Sequence, residues 1–120
     1  MEAHFVHADN EGNLAVLGVL YVLSSENQRL APIWQNFPQK AGEKYTLSTA
    51  FDPATLIPKK RDYYRFSGSL TTPLCSEGVN WLVLKRYDNI SQSQVEAFAT
   101  LMKGHNNRPV QPINARVIVE

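Results

Sequence analysis

The stretch of sequence that decides the fold runs from Tyr63 to Cys75 and reads YYRFSGSLTTPLC. Its first four residues are bulky and predict a strand, whereas Gly68 and the Thr-Thr-Pro that follows predict a loop. The next strand is predicted at Val79 to Lys85, so the loop joins two strands. Taken alone, Ser69 to Pro73 is typical of an ordinary turn, and its meaning depends on the sequence around it.

Upstream of this stretch, the sequence predicts a β-hairpin. Glu2 to His7 alternates and predicts a strand, and Asp9 to Asn13 is rich in turn residues. Leu14 to Leu23 is a nearly continuous apolar run, typical of a strand that is buried on both faces. A polar loop is predicted at Pro38 to Lys44, followed by a short strand at Tyr45 to Leu47.

Two short helices are predicted outside these strands. Asn27 to Phe37 carries apolar residues at helical spacing. Ser91 to Gln94 has the pattern of a capping box that begins a second helix, which Gly104 ends. With a last short strand at Arg116 to Val119, we expect a mostly β fold with short peripheral helices, in a single domain that spans residues 1–120.

Composition excludes several classes of function. The 120 residues carry a net charge of +1 without any long basic run, so we expect no nucleic-acid partner. The longest apolar run, Leu14 to Leu23, is too short to cross a bilayer, which needs about 20 residues, so we expect no membrane partner. No signal peptide is visible after Met1. The single cysteine, Cys75, excludes an internal disulfide.

The start of the chain predicts an incomplete fold. A strand is predicted from Glu2 onward with no flanking segment before it, which is unusual for a complete domain. A sheet edge without its neighbouring strand exposes unpaired backbone groups and favours association. We therefore expect a fragment of a larger fold whose exposed strand edge pairs with a missing N-terminal half or with a second copy.

Three segments together resemble the α-class, or eukaryotic-type, carbonic anhydrases. The stretch from Tyr63 to Cys75 is similar to the family's Tyr-x-x-x-x-Gly-Ser-Leu-Thr-Thr-Pro signature. Glu2 to His7 resembles the strand that supplies the third zinc histidine, and Asn106 to Pro112 resembles an Asn-x-Arg-Pro-x-Gln-Pro loop. The matches follow the chain order. The resemblance implies the C-terminal half of a bacterial-like member with the family's β-sheet fold.

The resemblance also implies roles for individual residues. His4 would bind zinc through one ring nitrogen, and Glu2 would accept a hydrogen bond from the other. Thr71 would position a zinc-bound hydroxide, and Thr72 would contact the substrate. An apolar wall for carbon dioxide would consist of Val6, Val16, Leu70, Val79 and Trp81. From the residues alone, His4 is more typical of a surface or core histidine, and the apolar side chains are typical of plain core packing.

The number of histidines limits what the chain does alone. A catalytic zinc takes three protein ligands and a water, and the family's other two ligands form a His-x-His pair. This chain has only His4, His7 and His105, and none forms that pair. Because side chains alternate along a strand, His4 and His7 cannot both reach one metal. We therefore expect zinc as the cofactor, with two further ligands missing and the isolated chain inactive.

The resemblance implies the reversible hydration of carbon dioxide to bicarbonate, a lyase reaction, for the longer parent protein. One alternative is a non-catalytic, carbonic-anhydrase-related binding or structural module. Another is an assembly with a separately supplied N-terminal half. In bacterial members a cysteine at the position of Cys75 commonly pairs with one near the N-terminus, which implies a periplasmic or secreted parent.

One departure from the family concerns the loop after Thr72. Leu74 stands where members often have a second proline preceded by a cis peptide bond. Because a cis bond is rare before any residue other than proline, the sequence leaves the geometry of this loop open.

Overall fold

The computed structural model describes residues 1–38, 40 and 42–120, which fall into two compact units. The first unit comprises Met1–Leu20, Lys60–Tyr87 and Asn107–Glu120, and the second comprises Tyr21–Lys59 and Asp88–Asn106. Two positions of the predicted polar loop Pro38 to Lys44, Gln39 and Ala41, lie outside the described residues. Among those that are described, no helix combines the length and the apolar character that crossing a membrane requires.

The first unit is built on a four-stranded sheet. Its strands are β1 (Glu2–Ala8), β2 (Leu14–Leu23, which continues into the second unit), β3 (Tyr63–Ser69) and β4 (Glu77–Leu84). Their order across the sheet is β1-β2-β4-β3. The outer pairs are antiparallel, whereas β2 and β4 run parallel. The predicted hairpin of β1 and β2 is confirmed.

The turn between β1 and β2 is held by the side chain of Asp9. One carboxylate oxygen accepts hydrogen bonds from the backbone N–H groups of Glu11 and Asn13, at 2.9 and 2.8 Å. The other accepts from the side-chain amide of Asn13 at 2.8 Å. Gly12 has φ +85°, a conformation that glycine adopts without steric cost. The hydrogen bonds of Asn13 lower the pKa of Asp9 below its ordinary value, because they favour the charged carboxylate.

One face of this sheet carries the apolar core of the first unit. Val16, Val79 and Trp81 are at most 5% exposed and pack together. Val16 lies opposite Trp81 in the parallel pair, and Trp81 lies opposite Phe66 in the antiparallel pair. Because directly paired residues point to the same side of a sheet, these side chains form one continuous surface. Leu70 packs against its edge.

The second unit contains a short strand and the helices. Strand β5 (Asp88–Ile90) pairs parallel with the end of β2. Helix α1 covers Ala31–Trp34, a 3-10 turn covers Pro53–Leu56, and helix α2 covers Gln92–Met102. The side chain of Ser91 accepts from the backbone of Gln94 and completes the capping box at the start of α2, as predicted.

Four polar side chains form a connected group in the second unit, named here the buried polar network: the buried Asn27, Asp88 and Gln94, and the exposed Arg29. Asn27 and Arg29 both donate to one carboxylate oxygen of Asp88. The side-chain amide of Gln94 accepts from the backbone N–H of Asn27 and donates to its carbonyl, at 2.9 and 3.0 Å. Asn27, Asp88 and Gln94 are 3%, 8% and 5% exposed, so their polar groups find their partners inside the protein, whereas the side chain of Arg29 is 42% exposed.

Tyr21 lies beside this network, opposite Asp88 in the pairing of β2 with β5. Burial raises the pKa of the Tyr21 hydroxyl above its ordinary value. The negative charge of Asp88 raises this pKa further, whereas Arg29 lowers it. The network therefore favours the neutral form of Tyr21.

Several predicted elements differ in extent from the observed ones. The helix predicted at Asn27 to Phe37 is confined to α1. Before α1, the side-chain oxygen of Asn27 accepts a hydrogen bond from the backbone N–H of Arg29 and forms a turn instead. At its other end, Asn36 donates to the carbonyl of Pro32.

Two predicted strands were wrong in whole or in part. No strand forms at Tyr45 to Leu47, and the last strand is reduced to one bridge between Arg65 and Val119. Strand β5 was not predicted, since three residues that include Asp and Asn have low strand propensity.

Candidate active site

The candidate active site centres on a histidine and a carboxylate on one face of β1. His4 and Glu2 are two positions apart on a strand, so their side chains point the same way. The carboxylate oxygen Oε2 of Glu2 lies 3.1 Å from the ring nitrogen Nε2 of His4. The two side chains are 26% and 34% exposed, for His4 and Glu2 respectively. The pair is thus formed within the chain and is open to a ligand.

The pair fits one position of a metal site. A carboxylate only accepts, so a neutral His4 ring that directs its Nε2 proton at Glu2 keeps on Nδ1 the lone pair that a metal needs. His7 points to the other side of β1, and its Nδ1 lies 3.0 Å from the carbonyl oxygen of Phe5. Across residues 1–38, 40 and 42–120, no group of three His, Cys, Asp or Glu side chains could hold a metal. The described residues therefore supply one candidate ligand and not a complete set.

The indole of Trp81 contacts both this pair and the neighbouring loop. Its ring meets the His4 ring edge-on, with the ring centroids 4.9 Å apart. Its Nε1–H donates to the carbonyl oxygen of Ser69 at 2.9 Å. On its other side it stacks on Phe66 with an interplanar angle of 7°. One rigid side chain therefore fixes the His4 ring relative to the end of β3.

The loop between β3 and β4 is closed by two backbone hydrogen bonds. The N–H of Leu70 donates to Ser76 at 2.9 Å, and the N–H of Cys75 donates to Thr72 at 2.7 Å. The peptide bond between Pro73 and Leu74 is cis, so the loop whose geometry the sequence left open has this conformation. Thr71 and Thr72 are both exposed. Their side chains can therefore reach a ligand above the loop.

A cavity of about 330 Å³ connects several of the predicted site residues. Glu2, Thr71 and Trp81 all line it. Two arginines that the sequence did not mark as functional, Arg108 and Arg116, line it as well. The structure thus brings the first residue of β1, the indole of Trp81 and the start of the loop between β3 and β4 to one concave surface.

The predicted apolar wall is brought together only in part. Val16, Val79 and Trp81 form one buried cluster, with Leu70 packed against it. Val6 lies opposite Val16 in the sheet but is 57% exposed. Val6 lies on the same face of the sheet as Val16, but on β1, at the end of the strand order.

The structure places three further residues at the site, none of which the sequence analysis assigned to it: Arg108, Arg116 and Gly18. Arg108 donates to the hydroxyl of Ser69 at 2.6 Å, and the guanidinium of Arg116 lies 6.0 Å from the centre of the Phe66 ring. Arg108 stands in the Asn-x-Arg-Pro pattern, which the sequence analysis noted, whereas nothing local marks Arg116. Gly18 lies opposite His4 in the middle of β2. The signal for Gly18 was a glycine inside an apolar strand.

Comparison with known proteins gives a consistent result. Residues 1–120 match the family described as eukaryotic-type carbonic anhydrase. A carbonic anhydrase of Neisseria gonorrhoeae is 56% identical over 120 residues, which are 100% of this chain and 47% of that protein. A carbonic anhydrase of Klebsiella pneumoniae is 43% identical over the same length, or 49% of that protein.

Solved structures give the same picture. The α-carbonic anhydrase of Thermovibrio ammonificans in complex with the inhibitor sulfanilamide superimposes with a TM-score of 0.94 and 50% identity, over 99% of this chain and 53% of that one. The α-carbonic anhydrase of Photobacterium profundum gives a TM-score of 0.92 and 45% identity, over 99% and 54%. The chain therefore spans about half the length of the relatives that it matches.

Proposed function

This chain belongs to the eukaryotic-type carbonic anhydrase family, and we propose that it is the C-terminal part of an enzyme that reversibly hydrates carbon dioxide to bicarbonate. The observation that carries the proposal is the close pair of Glu2 and His4, with Oε2 and Nε2 3.1 Å apart on one face of β1. Thr71 lies at the cavity that Glu2 lines. In a zinc enzyme, a carboxylate beside a histidine fixes the tautomer and the orientation with which that histidine binds the metal.

In this proposal, His4 would hold zinc through Nδ1, and Glu2 fixes the tautomer and the direction of the ring. Zinc bound here, with two further ligands from outside the described residues, would lower the pKa of its water towards neutrality. The edge of Trp81 against the His4 ring limits its rotation. The ligand is thereby preorganised before a metal arrives, which lowers the cost of binding.

Thr71 and Thr72 act on the reacting groups. The hydrogen bonds at Leu70 and Cys75 anchor the loop on either side of the two threonines. A threonine hydroxyl both donates and accepts, so Thr71 can accept from the attacking oxygen and orient its lone pair. Thr72 contacts the bicarbonate that forms. An anchored hydrogen-bonding group that needs no rearrangement during the reaction is the kind that stabilises a transition state.

The apolar surface receives carbon dioxide. Val16, Leu70, Val79 and Trp81 form a packed wall, and Val6 extends it towards the open strand. Carbon dioxide is neutral, so it needs no charged partner, and an apolar wall holds little water that it must displace. Trp81 lines the cavity that Thr71 also lines, so in this proposal the wall meets the threonines at that point.

The alternative is a non-catalytic module of the same family. The observation in its favour is that the described residues hold no complete metal group. On either reading, we propose that the 120-residue chain alone is inactive, since one histidine binds zinc weakly. Its proposed partners are carbon dioxide or bicarbonate and a missing N-terminal half or a second copy, which would pair along β1 at the end of the strand order. A periplasmic or secreted location is proposed for the parent protein.

The test is a chimera in which the part of the Neisseria relative that this chain does not match is fused to the chain. We expect about one zinc per protein by mass spectrometry and rapid carbon dioxide hydration by stopped flow. His4→Ala should remove both. His7→Ala, on the opposite face of the same strand, should keep the zinc.

Three results contradict parts of the proposal. A folded chimera with zinc but without hydration would establish the non-catalytic module. A folded chimera without zinc would remove His4 from the ligand set. Zinc and rapid hydration in the isolated chain would overturn its predicted inactivity.

A further inference from the structure

Gly18 lies in the interior of a strand, where a glycine lowers the stability of the fold. It stands in the middle of β2, opposite His4 on one side and opposite Val83 on the other. A glycine inside a strand loses more entropy on folding than other residues and offers no side chain to pack. Its usual justification in a sheet is the close approach of another group. The question is which group approaches Gly18.

The geometry around Gly18 singles out one neighbour. A Cβ atom added there would lie 2.8 Å from the carboxylate oxygen Oε1 of Glu2. The next nearest atoms, Cγ2 of Val83 and Cζ3 of Trp81, would be 3.5 and 3.6 Å away, which are ordinary van der Waals distances. Only Glu2 would be too close. The missing side chain therefore leaves a notch in β2 that the carboxylate occupies.

The same carboxylate orients His4 through its second oxygen. Oε2 lies 3.1 Å from Nε2 of His4 while Oε1 lies against Gly18. A carboxylate at the end of a flexible side chain moves more easily than a strand backbone. The clash with a methyl group at position 18 would therefore be relieved by rotation of the Glu2 side chain. That rotation would break the contact between Glu2 and His4.

We propose that Gly18 is a positioning residue that acts through Glu2: its notch holds the carboxylate in the place from which it orients the His4 ring. The inference rests on the proposed function, in which His4 is a zinc ligand, and extends it to a residue on the neighbouring strand. It predicts that Gly18→Ala folds, keeps the sheet, and loses the hydrogen bond between Glu2 and His4.

Gly68 offers a matched control. A Cβ atom there would lie 2.9 Å from Cδ1 of Trp81 and 3.2 Å from Cε2 of Phe66, so the conflict is of similar severity. The groups it meets are rigid rings of the core, and Glu2 is not among the nearest atoms. Gly68→Ala should therefore lower the melting temperature more than Gly18→Ala, and by the same amount in the wild-type and Glu2→Ala backgrounds, because its conflict does not involve the Glu2 carboxylate.

The first measurement is the ring N–H resonance of His4 in the ¹⁵N-labelled full chain, recorded where the ring is neutral. The wild-type chain should show a hydrogen-bonded Nε2–H signal. Gly18→Ala should lose it, as Glu2→Ala does. The proposal is overturned if Gly18→Ala keeps the signal or if the wild-type chain lacks it.

The second measurement is a double-mutant cycle on the melting temperature. Gly18→Ala should lower it in the wild-type background but leave it unchanged or raise it in the Glu2→Ala background, where the conflicting carboxylate is absent and alanine suits a strand better than glycine. The same change in both backgrounds would overturn the proposal. If Gly18→Ala alone fails to fold, the double variant decides: a folded one supports the proposal and an unfolded one refutes it.

Neither measurement requires zinc or turnover. A failure of the proposed enzyme activity would leave both readouts unchanged, so the two failures are distinguishable.

Discussion

The two units of the molecule each contain a cluster of polar side chains, and the clusters differ in how completely they are enclosed. In the buried polar network of the second unit, Asn27, Asp88 and Gln94 are at most 8% exposed. In the first unit, the side chains of Glu2 and His4 are 34% and 26% exposed and are joined by one contact. The three buried members of the network form a closed cluster, which the 42% exposed side chain of Arg29 joins from outside, whereas the pair is open.

The difference shows how the same kinds of group serve different purposes. A polar group buried without a partner costs free energy, so a closed network must satisfy its members and thereby specifies one arrangement. A partly exposed ion pair contributes little to stability, because water competes with the partner. The pair of Glu2 and His4 can therefore contact a ligand, whereas the buried members of the network cannot.

The largest expected effect is that of Asp88→Asn. The amide can no longer balance the charge of Arg29, and its N–H₂ group faces the N–H of Asn89, which donates to the carboxylate at 2.9 Å. We expect the free energy of unfolding to fall by about 2 kcal/mol. Urea unfolding measures this. A change within the error of the measurement would show that the network is not a stabilising feature.

A smaller effect is expected for Glu2→Gln, which is the same carboxylate-to-amide change in the open pair. The side chain is about one-third exposed, so the free energy of unfolding should change by less than about 1 kcal/mol. Urea unfolding under identical conditions makes the two variants directly comparable. A loss as large as that of Asp88→Asn would contradict the distinction between closed and open clusters.

A further consequence of enclosure is sensitivity to alkali. Burial raises the pKa of Tyr21 above its ordinary value of 10.0. A raised folded pKa gives stability that is present below pH 10 and is lost as the pH rises from there through the folded value. Tyr21→Phe should remove this part of the alkaline loss in urea unfolding at increasing pH. Asp88→Asn should lower the Tyr21 pKa, measured by tyrosinate absorbance, and an unchanged pKa would contradict this coupling.

The smallest effect is expected at Asp9, an exposed carboxylate. Hydrogen bonds from Asn13 lower the pKa of Asp9 below its ordinary value of 3.8. A lowered folded pKa gives stability that is present above pH 3.8 and is lost as the pH falls below it. Asn13→Ala should raise the pKa of Asp9 in an NMR titration. If the pKa stayed low, the hydrogen bonds would not be its cause.

Much of the fold followed from local patterns. The alternation at the start of the chain and the apolar run after Asp9 predicted the hairpin, and Ser91 and Gln94 predicted the capping box of α2. The predicted family and the mostly β fold with few short helices are confirmed. The single domain, the roles of the site residues, the partners and the location stay predictions.

Elements that depend on distant partners were not predictable in the same way. The helix expected from Asn27 gave way to a turn in which Asn27 Oδ1 accepts from the N–H of Arg29, and this turn is held by distant partners: the Asn27 side-chain amide donates to Asp88 and its backbone N–H donates to Gln94. Strand β5 exists only because the end of β2 offers it a partner. Local propensity contains no information about such partners.

The sequence by itself determined which side chains share a face of each strand, because the two-residue period of a strand is a local property. It thereby placed Glu2 with His4 and separated His7 from them. Only the tertiary structure decided that Trp81 meets the His4 ring and that Gly18 lies beneath the Glu2 carboxylate. Those contacts depend on which strands become neighbours and in which register, and these are set by the packing of the whole sheet.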